Sequence, residues 1–178
     1  MSETKSDRGI STWDLIYAIN MAIACLVSYT IITSVLSHIV GRADTLLGGM
    51  WAVVATVFVF RDSRSEALAA GLARMIATCV SFALCLIYLL LFPYTPVGLV
   101  CLLALGTLII IALGRRGDVV TTGITTTVVM VVAAMSSNDA WQQPLLRFID
   151  TLVGVSVGVL FKWLASYMFS GLERPRTP

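Results

Sequence analysis

The chain has 178 residues, of which 58% are hydrophobic and only 12% charged, with a formal net charge of +2. Soluble domains usually carry charge on about a quarter of their residues, so this composition excludes a soluble enzyme or binding module. So small a net charge also gives no reason to expect a nucleic-acid partner. The charges cluster and leave residues 15–41, 45–60, 75–114 and 119–138 free of Asp, Glu, Lys and Arg. A spanning helix needs about 20 mostly apolar residues.

An all-α fold of six transmembrane helices is predicted. A cytoplasmic tail, residues 1–12, leads into the first span, 13–37. Its apolar stretch far exceeds the roughly 7–15 residues of a signal-peptide core and is read as a retained helix. The second span, 46–62, holds the pair Gly48-Gly49, and the third, 67–92, carries Arg74 and Thr78. Pro93-Tyr94-Thr95-Pro96 marks the turn into the fourth, 97–113. The fifth, 119–137, contains Thr121, Thr122, Thr125, Thr126 and Thr127. The sixth, 145–169, contains Arg147, Asp150 and Thr151, then the GxxxG pair Gly154 and Gly158, and a short cytoplasmic tail, 171–178, follows. The four cysteines all fall within spans at no metal-binding spacing and read as small packing residues; neither metal nor cofactor is expected.

The spans divide into two repeats, 13–92 and 93–170, related by an offset of 73 residues. Gly41-Arg42 recurs as Gly114-Arg115, Glu66 as Asp139, and Arg74 with Thr78 as Arg147 with Thr151. Three spans per copy is an odd number, so the copies should lie antiparallel as a 3+3 inverted-topology repeat. Secondary transporters use this architecture, with the solute site where the repeats meet. Loop charge gives the orientation. Lys5, Arg8, Arg61, Arg64, Arg115, Arg116, Arg174 and Arg176 fall on the side of the termini, and only Arg42 and Arg147 on the other. Cytoplasmic loops carry the Lys/Arg excess, so both termini are assigned to the cytoplasm of a multi-pass inner (plasma) membrane protein. Lys162 should snorkel to the inner interface, and Trp13, Trp51, Trp141 and Trp163 read as an aromatic belt.

Arg74 is the charge least expected where it stands, in a span among Ala70, Gly71, Ala73 and Ala77. Either it snorkels to the headgroups, or it faces a polar cavity in which its guanidinium grips a carboxylate through two parallel hydrogen bonds. Arg147 occupies the matching place near the opposite face, with Asp150 one turn on where the two can pair; beside Arg74 that position is Ala77. Arg74 is therefore expected to be the freer anion ligand. Thr122, Thr125 and Thr126 either bond back to their own helix or line a pore wall, with Thr78 and Thr151 as further candidate solute contacts. Gly154 and Gly158 let two helices approach closely, in a dimer or within the chain, where Ala77 and Ser81 on the third span offer a partner surface. His38 reads as interfacial.

The segment from Gly48 to Thr56, then Arg61 to Glu66, then Arg74-Met75-Ile76-Ala77-Thr78, resembles the membrane domain of the FUSC superfamily. That group includes the fusaric acid resistance and aromatic acid exporter proteins and is similar to the plant aluminium-activated malate transporters. The stretch from Arg147 to Gly154 matches the second arginine-containing helix, and the likeness covers roughly residues 20–165. It implies a six-helix unit, a homodimer, an organic anion as solute, and an anion-binding role for Arg74 and Arg147. Ala77 departs from the glycine usual there, and the large cytoplasmic domain or second membrane unit of many members is not seen.

The expected function is membrane transport of organic anions, aromatic or other small carboxylates, by a channel-like or secondary transporter with an arginine-lined path. Asp150 is the sole candidate proton carrier within the spans, which favours channel-like passage. The alternative is a membrane accessory subunit of a larger export complex that transports nothing itself. An enzyme has no support, for want of a catalytic cluster.

Overall fold

The structure, a computed structural model, describes residues 12–61, 63–135 and 140–168. Among these the chain forms six α-helices and no strand: α1 (Thr12–Leu36), α2 (Arg42–Val59), α3 (Arg64–Leu91), α4 (Pro96–Ala112), α5 (Val119–Met135) and α6 (Gln142–Met168). Five are long and apolar enough to cross a membrane, α5 counted with the short 3-10 turn before it; α4 has 17 residues. The predicted boundaries hold within a few residues. Where they move, polar residues form the first turn. α2 begins at Arg42 rather than 46 and places Asp44 in its first turn, where the helix dipole favours a carboxylate. α3 begins at Arg64 rather than 67 because Ser63 and Glu66 form a capping box: the Ser63 Oγ accepts from the Glu66 N–H at 3.2 Å, and the Glu66 carboxylate accepts from the Ser63 N–H at 3.4 Å. Thr95 caps α4, and Pro96, read from the sequence as part of the turn, forms the first position of the helix.

Consecutive helices alternate in direction. α6 runs parallel to α2, since Gln143 meets Asp44, Arg147 meets Leu47, Gly154 meets Ala52 and Gly158 meets Thr56. It runs antiparallel to α3, since Gly71 faces Val155 and Val159 while Phe82 stacks on Phe148, ring centroids 5.2 Å apart. In this register Thr78 lies level with Thr151. α3 and α6 form the central pair: α3 packs on α2, α4, α5 and α6, and α6 on α1, α2, α3 and α5. Exchanging α1 with α4, α2 with α5 and α3 with α6 leaves this set of neighbours unchanged.

Polarity is turned inside out relative to a soluble protein. Ser28, Thr56, Arg74, Thr78, Arg147 and Asp150 are buried, while Leu15, Leu26, Leu72, Ile87, Val100 and Leu160 face outward. Lipid accepts that apolar exterior, and burial in the bundle keeps the polar groups out of it. The α2–α6 contact depends on small residues. A side chain at Gly154 would collide with the Ala52 carbonyl and lie 2.7 Å from the Ala55 Cβ. The GxxxG face therefore packs within the chain, and against α2 rather than the anticipated α3 surface. Above it, the Thr56 hydroxyl lies 2.9 Å from the Ser28 Oγ, 2.9 Å from the Ala52 carbonyl and 3.0 Å from the Gly154 carbonyl, tying α1, α2 and α6 together.

Candidate functional site

Arg74 stands in the third turn of α3, with Thr78 one turn further on the same face. Arg74 is 4% exposed and Thr78 is 1% exposed. Among the described residues the guanidinium makes no ion pair, and its Nε and one terminal nitrogen are buried with no hydrogen-bond partner. The Thr78 hydroxyl is likewise buried and unpartnered. The one strong contact is with the ring of Phe58 on α2, whose centroid lies 4.7 Å from the guanidinium carbon. That contact covers the flat face of the cation and leaves the in-plane N–H groups, which carboxylates engage, without partners.

Arg147 and Thr151 repeat this arrangement on α6, again one turn apart and buried. Here the expected counter-ion is present: Asp150 lies 2.9 Å from a terminal nitrogen of Arg147. Beyond this contact neither Asp150 oxygen has a polar partner among the described residues. The other terminal nitrogen donates to the Leu47 carbonyl at 3.4 Å, and the Trp51 ring lies 5.9 Å away. Gln143 donates to Asp44 at 3.2 Å just above, and Gly48 leaves room for the Asp150 carboxylate, 3.0 Å from where a Cβ would be.

The α3–α6 register sets the depth of both arginines. Arg147 lies level with Phe82, so the two Cα positions are about 12 Å apart along the bundle axis, on either side of the Thr78–Thr151 level. Helical side chains lean toward their own N-terminus. Arg74 therefore leans toward the face where α3 starts, and Arg147 toward the face where α6 starts. Arg74 and Arg147 are 4% and 3% exposed, and neither lines the open cleft formed by Tyr17, Phe60, Arg61, Glu66 and Ala69.

Thr122, Thr125 and Thr126 of α5 are buried as well. Thr122 donates to the Asp118 carbonyl at 3.0 Å, Thr125 to that of Thr121 at 2.9 Å, and Thr126 to the Ser81 Oγ at 3.0 Å. Ser81 in turn donates to the Thr122 carbonyl at 3.1 Å. These protons are committed, which leaves the three hydroxyls holding α5 in shape and against α3 rather than free for a solute. Gly48 and Gly49 do not expose backbone to a path: a side chain on Gly49 would lie 2.6 Å from Tyr29 and 2.8 Å from Thr33 of α1.

Other sequence readings also shift. Trp51 is not at a span end, because α2 begins earlier than predicted, and it stands mid-helix beside Arg147. Lys162 does lie among aromatics, its Nζ 5.1 Å from the Tyr17 ring. Gly41 and Gly114 are not conformationally equivalent, since only Gly114 adopts a positive φ, 72°. Asp139, the counterpart of Glu66, lies outside the described residues. Sequence reasoning missed Phe58 altogether, as well as the Gln143–Asp44 bond; both depend on how two helices align, for which no local signal exists.

No curated protein and no solved structure matches the chain. A family profile does, over residues 28–161, a stretch that takes in Arg74, Arg147 and the small-residue contact of α6 with α2. The chain belongs to the fusaric acid resistance protein-like family, a family of membrane transport proteins.

Proposed function

We propose that the protein moves small organic anions across the membrane, with aromatic carboxylates the preferred class, and that Arg74 with Thr78 forms the principal anion site. The observation that carries this reading is a guanidinium 4% exposed, with no counter-ion among the described residues and two unpartnered nitrogens, one turn from a hydroxyl that also lacks a partner. An Arg at the centre of a membrane helix costs about 2.5–3.5 kcal/mol on insertion scales. A bound carboxylate would offset that cost and satisfy both groups. Phe58 on the guanidinium face gives an aromatic solute a ring to rest against.

In the same reading the six helices span the membrane as a 3+3 inverted repeat. α4 serves as the sixth span: its 17 residues reach about 26 Å, close to the hydrocarbon thickness. Arg147 with Thr151 forms the second, weaker site of a secondary or channel-like path. The termini face the cytoplasm of the inner membrane, in keeping with the loop charge, and the working unit is a homodimer. Purified protein in liposomes, tested against benzoate, other carboxylates and matched cations, decides the matter. Benzoate should pass well above protein-free vesicles and cations should not. Absence of anion selectivity would sink the proposal.

A further inference from the structure

Asp150 is fully buried, and beyond its contact with Arg147 neither oxygen has a polar partner among the described residues, a costly state for an ionised carboxylate. Among the described residues its charge is balanced only by Arg147, 2.9 Å away on the same helix. Every other helix packed on this point adds little. α2 brings Gly48 and, one turn above, the half-buried Asp44, a second negative charge near Arg147. α1 brings Ile32 and Leu36 to the same spot, with Tyr29 one turn below at Gly49, and no charge. α3 faces it near Thr78, with Arg74 a turn beyond; α5 has no ionisable residue, and α4 does not touch α6.

This arrangement restricts what Arg147 can do in transport. As it stands the pair is neutral. A solute carboxylate that took the guanidinium would leave two negative charges sharing one buried cation, with Asp44 adding a third nearby. Burying an unbalanced charge costs several kcal/mol. One event removes the conflict without moving a helix: a proton on Asp150 neutralises it and frees Arg147, and proton plus anion together leave the site as neutral as before.

Resting on the transport reading above, we propose that Asp150 is a proton-binding site linked to anion binding at Arg147, so that a proton from the face where α2 and α6 begin admits the anion and travels with it. The Arg74 site has Ala77 in the corresponding place and carries no such requirement. The coupling therefore lies in one half of the path only.

Benzenesulfonate, which stays ionised at all working pH values and does not leak as a neutral acid, is the probe. In liposomes holding the wild-type protein, its uptake should rise as external pH falls from about 7.5 to 5.5, by up to about tenfold per unit for one linked proton. A trapped pH dye should record about one proton entering per anion. Asp150→Asn should give uptake that is fast and flat with pH. Wild-type uptake that is flat with pH, or anion entry without protons, overturns the inference while leaving transport intact; these two wild-type readings stand even if the variant does not fold. A folded Asp150→Asn protein that keeps the wild-type slope also overturns it. No uptake at any pH overturns both the coupling and the transport reading.

Discussion

Two residues separate the halves of the candidate path: Asp150 beside Arg147, and Ala77 beside Arg74. The free guanidinium should bind the solute more strongly than the one that must first leave its partner. Arg74→Gln is expected to cut benzoate flux about 10- to 100-fold, the loss of one or two charge-assisted hydrogen bonds, and Arg147→Gln to cut it less. Arg74→Lys should not restore the rate, because an ammonium lacks the planar pair of donors. Initial rates in liposomes at fixed pH check all three. At this scale the sequence was informative where the chemistry is local. The three-residue spacing of Arg147 and Asp150 on one helix predicts their contact, and the structure has it at 2.9 Å. Phe58 was not legible: nothing about a phenylalanine near the end of an apolar helix says that its ring will cover a cation on the next helix.

At the level of helices, the fold depends on close approach between small residues and on hydroxyls that bond to carbonyls of other helices. Gly154 lies against the Ala52 carbonyl, so Gly154→Val should push α6 off α2 and destabilise the protein by about 1–3 kcal/mol. Ser81→Ala removes the hydroxyl link between α3 and α5 and should cost about 0.6 kcal/mol. Thermal unfolding in detergent should order the two, with Gly154→Val the lower in Tm. The spans were legible because apolar runs and turn residues mark them directly. The partner of the GxxxG face was not: the motif fixes which face approaches another helix, whereas the choice of α2 over α3 follows from the bundle as a whole, where Ala52 and Ala55 stand at the matching heights.

For the whole molecule, alternating helices put the turn after α1 and the turn before α5 at opposite ends of the bundle. With the four native cysteines replaced, His38→Cys and Arg116→Cys, both at exposed positions, should react with a membrane-impermeant maleimide from opposite sides of oriented vesicles. Labelling of both from one side would contradict the proposed spanning topology. Exchanging the two halves leaves the set of neighbouring helices unchanged, but side-chain bonding does not follow the offset of 73 residues. Thr56 binds three helices into one piece, and at the offset positions of the Ser28, Thr56 and Gly154 knot stand Cys101, Val129 and Ser81. On that side Thr126 and Ser81 link α5 to α3 through their hydroxyls, and α4 is met only at its exposed end, where the Tyr88 hydroxyl lies 2.8 Å from the capping Thr95 Oγ. Unequal fastening of matching neighbours predicts unequal motion: α1, α2 and α6 should move as one piece, and α4, which no buried hydroxyl bond among the described residues ties to another helix, should shift more readily. Amide hydrogens of α4 should accordingly exchange sooner than those of α2.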